Sequence, residues 1–204
     1  MPNIMPDQLE EIASQLLKGA GASDDEAATV ARLSISANLA GHDSHGIIQI
    51  PTYIDRVDRG HIVPGAEFEI LKDTPTTTVI DGHWGFGYVV TEMAMRTTIE
   101  KARSQNIAAA TVFRQSHIGR LADYPLMASE ANMIGLITAD SGRSAKSVVP
   151  FGGRDKRLGT NPISIAMPSN LDGPYYLDMA SSAVAAGKIE VAKARGKDIP
   201  EGWI

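Results

Sequence analysis

The spacing of apolar residues changes period near His61, and this change limits the folds open to the chain. Before it, the pattern is helical. Leu9, Ile12 and Leu16 follow Asp7 at helical spacing, and Gly19 and Gly21 stop the run. Ser23-Asp24-Asp25-Glu26 then forms a capping-box pattern, with acidic residues where a helix dipole favours them. Val30, Leu33 and Ala37 continue along one face until Gly41. A third helix fits Ile47, Ile50, Ile54 and Val57, with Pro51 tolerable only in its first turn. After His61 come short β-prone runs at 68–71 and 76–80, split by Asp73-Thr74-Pro75 and closed by Asp81-Gly82. Residues 86–104 read as a long helix with Val89, Met93, Thr97 and Ala102 on one side. A buried strand at 107–113, a helix at 121–131, strands at 134–139, 162–167 and 175–177, and a helix at 185–194 complete the pattern. The expectation is a helical N-terminal domain over 1–72 followed by a mixed α/β domain over 73–204.

Composition removes several function classes. The chain has 204 residues and a net charge of −5, so no basic surface points to nucleic acid. It has no cysteine, which excludes disulfides, thiolate nucleophiles and Cys-based zinc sites. The N-terminus MPNIMPDQLEEIASQL lacks the cationic start and apolar stretch of a signal peptide. No run approaches the roughly 18 apolar residues of a membrane span. A cytoplasmic chain is expected. The last residues, Ile-Pro-Glu-Gly-Trp-Ile, end on large apolar groups without a polar tail, which suggests a piece of a longer protein.

The stretch AGHDSHGIIQIP, residues 40–51, gathers the most chemistry at the joint between the second and third helices. His42, Asp43, Ser44 and His45 are sequential neighbours, which argues against a serine–histidine–aspartate relay: adjacent side chains diverge. A metal site on His42 and His45 needs a third ligand, and His61, His83 and His117 offer no recognised spacing. Two further readings stay open beside that of a histidine-metal hydrolase. One is a capped helix junction with Asp43 or Ser44 as the cap and surface histidines. The other is an acid/base histidine beside a serine hydroxyl that binds a polar substrate. GHWGFGY is not GxGxxG, and no GxxxxGK[ST] occurs, so Rossmann and P-loop fingerprints are absent. Ser116-His117-Ile118-Gly119-Arg120 lies between a strand and a helix, a place where Arg120 and a helix N-terminus can meet an anion. Asp178-Met179-Ala180-Ser181-Ser182 suits phosphate cradling and plain capping equally.

The blocks GHDSHGIIQIPTYIDRVDRG, SHIGRLADYP, VVPFGGRDKRLGTNPISIAMP and YYLDMASSAVAAGKIEVAKARGKDIPEGW, in this order, resemble the malate/L-lactate dehydrogenase family of the second type. That family includes ureidoglycolate, sulfolactate and diketogulonate oxidoreductases, and the GHDSHGI-x-x-IP-x-Y form looks closest to its hydroxycarboxylate branch. The resemblance implies an α/β protein, L-sulfolactate dehydrogenase-like, with a helical domain and a non-Rossmann mixed-sheet NAD(P)-binding domain. It implies hydride transfer between NAD or NADP and a 2-oxo acid or 2-hydroxy acid, usually in a homodimer. His45 of DSHG and His117 of SHxG are then both candidate acid/base groups, with Ser44 on the substrate. His45, Gly119, Arg120 and Leu121, with Asp178, Met179, Ala180, Ser181 and Ser182, match positions that hold the dinucleotide. Thr160 and Asn161 match the GTNP turn on the substrate side, and no metal is implied. Two features depart from the family pattern. Gln49 stands where many members carry an arginine for the substrate carboxylate, leaving Arg56 and Arg120 as candidate replacements. The chain is also shorter than family members, so the rival reading is a non-catalytic dinucleotide-binding or dimerising fragment.

Overall fold

Why the helices stop where they do is visible in their ends. The structure, a computed structural model, describes residues 4–140, 146–184 and 186–203. Helix α1 (Pro6–Gly19) opens with proline in its first turn, and α2 (Asp24–Leu39) opens with the expected capping box. Ser23 Oγ accepts from Glu26 N–H at 3.3 Å, and Glu26 Oε2 accepts from Ser23 N–H at 2.9 Å. The Glu26 carboxylate also accepts the Gly65 N–H, tying the loop after the third helix back to this cap. Two 3-10 turns, Asp43–His45 and Ile47–Gln49, lead into α3 (Ile50–Asp58), where Pro51 falls in the first turn.

The face of α1 differs from the expectation. Ala13 and Leu17 are buried, whereas Ile12 and Leu16 are about half exposed. Small Ala13 allows α1 to lie close to α2, so the packed stripe is one residue on from the larger apolar one.

The chain divides into two compact units, residues 1–120 and 121–204. In the first, α1, α2 and α3 enclose a core with Val30, Ile50, Tyr53, Ile62, Phe86 and Tyr88. A sheet follows, ordered β1 (Glu69–Asp73), β2 (Thr77–Asp81), β3 (Ala109–Phe113), with α4 (Gly87–Gln105) crossing from β2 to β3. β1 pairs antiparallel with β2, and β2 pairs parallel with β3. Strand β3 was expected to be buried. It is instead an edge strand whose residues alternate between exposed and half-buried, because Ala110 and Val112 face α4 and the other side is open. Helix α4 also packs on α2, and Glu92 bridges them by accepting from Arg32 at 2.5 Å while holding Arg96 on its own helix. The stretch 73–120 therefore belongs with the N-terminal helices by contact.

The second unit holds α5 (Asp123–Glu130) and an antiparallel sheet of β4 (Gly135–Thr138), β5 (Ile163–Met167) and β6 (Tyr175–Met179), followed by α6 (Ala186–Ala194). Helix α5 covers β4 and β5. The fold class is mixed α/β, as expected.

At the end of β2, Asp81 is nearly fully covered and forms a two-pronged bridge to Arg114. The Arg114 guanidinium holds the Asp81 carboxyl below its ordinary value of 3.8, at about 2. A depressed carboxyl contributes stability that is complete above its unfolded value and disappears as pH falls through its folded one. Denaturation midpoints are therefore expected to fall between roughly pH 4 and pH 2. Asp81→Asn should lower the neutral-pH midpoint and flatten that decline.

Candidate active site

The AGHDSHG stretch takes its shape from the end of α2. Gly41, at φ +78°, donates its N–H to Asn38 O at 2.9 Å, and His42 N–H reaches Ala37 O at 2.8 Å. This pair of bonds is the Schellman reversal, which needs a left-handed residue that glycine adopts without strain. The chain then turns once more, with His45 N–H on His42 O at 2.9 Å. Asn38 fastens the turn from below: its Nδ2 donates to Asp43 Oδ1 at 2.9 Å, and its Oδ1 accepts from Ile47 N–H at 2.8 Å. Gln49 Nε2 donates to Ser44 O at 2.8 Å, so this amide braces the loop. No side-chain cap bond from Asp43 or Ser44 opens either 3-10 turn or α3.

His117 arrives from the other direction. Because β2 and β3 are parallel, their carboxyl ends open on one side, where α/β sheets place ligand sites. Hydrogen bonds continue beyond the strands. Gly82 N–H meets Phe113 O at 2.9 Å, Trp84 N–H meets Arg114 O at 2.6 Å, and Gly87 N–H meets Ser116 Oγ at 2.8 Å. The two loops are laced together, and the start of α4 lies directly against residues 116–118. A methyl group on Gly87 would stand 2.6 Å from His117 O and closer still to Ser116 O, so only glycine fits.

These elements bring the two candidate acid/base groups together. The His45 and His117 rings stack with centroids 5.7 Å apart and planes 28° apart. His42 stands edge-on to His45 at 6.4 Å, and its buried Nδ1 has no protein hydrogen-bond partner. Ser44 Oγ lies 2.9 Å from His45 Nδ1. Tyr53 from α3 places its Oη 2.7 Å from His117 Nδ1 and 3.0 Å from Tyr88 Oη of α4. Burial first, then the neighbouring His45 and the Arg56 charge, push the His117 pKa down to about 3. The ring is therefore neutral through the physiological range.

Sequence reading missed Tyr53, Tyr88 and Asn38. A signal for Tyr53 was present: it lies between Ile50 and Val57 on the apolar face of the third helix. A phenol on a buried face needs a partner for its hydroxyl.

The other expected site residues lie as follows. Gly119 follows the nest, its N–H 3.4 Å from His117 Nδ1. Arg120 is buried, with Nη2 3.5 Å from Ser36 Oγ. In the second unit Leu121 is buried, and Asp178 Oδ2 accepts the Ala122 N–H at 2.8 Å. Ser181 N–H and Oγ both reach Thr160 O at 3.2 Å, which joins the turn holding Asn161 to the loop after β6. Asn161 has φ +43° and donates to Gly159 O, Ser182 Oγ donates to Val184 O, and Met179 is half exposed at the strand end with Ala180 beyond it. Among the described residues no three His, Cys, Asp or Glu side chains converge as metal ligands. His83 instead faces Glu67 O, Glu69 and Asp81. Among the described residues no helix is long and apolar enough to cross a membrane.

Comparison with known proteins finds relatives over nearly the whole chain. A malate dehydrogenase of Pyrococcus abyssi is 38% identical over 200 residues, covering 98% of this chain and 54% of that protein. Hydroxycarboxylate dehydrogenase B of Escherichia coli is 37% identical over 196 residues, covering 96% of this chain and 54% of that protein. The crystal structure of malate dehydrogenase from Entamoeba histolytica superposes with a TM-score of 0.93 at 34% identity, over 98% of this chain and 55% of that one. The chain thus spans about half the length of the relatives it matches. The sequence profile of the malate/L-lactate dehydrogenase family matches residues 4–204, and with the shared fold this establishes that the chain belongs to that family.

Proposed function

We propose that the chain carries the proton-transfer site of a nicotinamide-dependent oxidoreductase acting on a 2-oxo acid or 2-hydroxy acid. The observation that carries this reading is the stacked pair His45 and His117, held by residues from four segments of one unit. Bound NADH or NADPH would supply a hydride to C2 of the 2-oxo acid, and bound NAD+ or NADP+ would take it from the 2-hydroxy acid.

The residues of this chain handle the proton and hold the substrate. Reduction places growing negative charge on the C2 oxygen, which needs a proton donor. His117, neutral down to about pH 3, has no extra proton to give and acts as a hydrogen-bond donor only. His45 takes the acid/base role, with Ser44 Oγ fixing its ring through Nδ1. In the reverse direction His45 accepts the hydroxyl proton.

The substrate carboxylate needs a cation, and Gln49 supplies none. Arg56 is the cation whose charge acts on His117, whereas Arg120 is turned onto Ser36. Arg56 is therefore the proposed carboxylate partner. Arg56→Gln should raise KM for the 2-oxo acid by roughly ten- to hundredfold and leave KM for the dinucleotide little changed, as steady-state kinetics would read.

For the dinucleotide, the side chains of Asp178, Ser181 and Ser182 are engaged by main-chain groups. These three residues, with Met179 and Ala180 between them, are proposed to line the dinucleotide site. Gly119, Arg120 and Leu121 are proposed to contribute to dinucleotide binding, and Thr160 and Asn161 to the substrate side. A homodimer in the cytoplasm accords with the family resemblance.

The test follows nicotinamide absorbance with NADH or NADPH against phenylpyruvate, oxaloacetate, pyruvate and 2-oxoglutarate. Turnover of at least one acid is expected, and a folded protein that turns over none contradicts the reading.

A further inference from the structure

The hydrogen bonds around His117 do more than hold the ring in place. Its Nδ1 is approached by two donors. One is the Gly119 backbone N–H at 3.4 Å, which can only donate. A nitrogen that accepts from it must present a lone pair and carry no proton. The second is Tyr53 Oη at 2.7 Å, the shorter and stronger contact. With Nδ1 unprotonated, the hydroxyl proton must come from Tyr53. With its proton on His117, Tyr53 Oη is left to accept from Tyr88 Oη at 3.0 Å, whose single proton also lies within reach of His45 O at 3.4 Å. Both tyrosines are only 1% exposed, so water does not compete for these hydroxyls. The mobile proton of the neutral ring is thereby placed on Nε2, on the far side from Tyr53.

We propose that Tyr53 is a positioning residue, whose hydroxyl locks His117 in the Nε2–H form so that the ring offers an N–H donor to the substrate oxygen. The functional half of this inference rests on the oxidoreductase reading above, while the tautomer itself does not. In the other tautomer Nδ1–H would point at Tyr53, and Nε2 would present a lone pair to an oxygen that is gaining negative charge. That arrangement repels the developing charge rather than stabilising it.

The test reads the ring directly. In ¹⁵N NMR of the His117 imidazole, a pyridine-type Nδ1 and a pyrrole-type Nε2 are expected in the unmodified protein. Tyr53→Phe keeps the buried ring and removes the donor, so the preference for Nε2–H should fall by roughly three- to tenfold. Under the same substitution kcat for the active 2-oxo acid should fall by a similar factor, with KM for the dinucleotide unchanged. Tyr88→Phe leaves the bond from Tyr53 to His117 in place and should move the tautomer ratio less. It also serves if Tyr53→Phe fails to fold, because a pyrrole-type Nδ1 in that variant or in the unmodified protein overturns the proposal. An unmoved ratio in folded Tyr53→Phe also overturns it. A ratio that moves in a protein without turnover supports the lock and counts against the oxidoreductase reading.

Discussion

His45→Ala is expected to lower kcat by roughly 10²–10⁴, with dinucleotide affinity close to normal. Its ring stacks on His117 and is proposed to carry the transferred proton. His117 is held neutral down to about pH 3, and the Ser44 hydroxyl lies within hydrogen-bond reach of His45 Nδ1. Truncation removes the proposed proton donor and the stacking partner of His117 while leaving the Schellman turn and the Asn38 fastening intact. His117→Gln retains an amide N–H donor in place of the ring, so its loss should be smaller, roughly tenfold. The reverse order would exchange the two roles. Single-turnover kinetics separate this from a binding defect, because loss of a proton donor slows the chemical step at saturating substrate.

Gly87→Ala should destabilise the first unit by roughly 3 kcal/mol. The added carbon meets the carbonyl oxygens of Ser116 and His117, which are main-chain atoms fixed by the laced loops. A flexible side chain could move aside, but here either α4 or the segment 116–118 must shift. That segment carries His117, so kcat should fall together with the denaturation midpoint. Gly41→Ala makes a useful contrast. It meets no neighbour and bears only the left-handed φ, so its cost should be about 1 kcal/mol. Urea denaturation of both variants, followed by far-ultraviolet circular dichroism, gives the comparison.

Much of this fold could be read from local rules. Ser23 with Glu26, Pro51 in a first turn, and Asp81-Gly82 closing a strand each act within a few residues, so sequence carries them. The face of α1 was harder, because Leu9, Ile12 and Leu16 form a regular apolar stripe yet Ala13 and Leu17 do the packing. Close helix approach favoured the small residue, and no local pattern states which partner will come. Strand β3 misled for a related reason: an apolar run does not say whether a sheet has two neighbours or one. At the site, His45, Ser44 and His117 stood out by motif. Their meeting did not, because 72 positions separate the histidines and a parallel crossover brings them together. Gln49 drew attention as a missing charge, and the fold gives it a bracing bond to Ser44 O instead.

The central claim is that His45 moves the proton. Its most direct test is chemical rescue: His45→Ala assayed by nicotinamide absorbance at saturating 2-oxo acid, with and without added imidazole. Imidazole should restore a substantial part of the lost kcat to His45→Ala and leave the unmodified protein unchanged. A His45→Ala protein that turns over at the unmodified rate, with or without imidazole, would contradict the assignment.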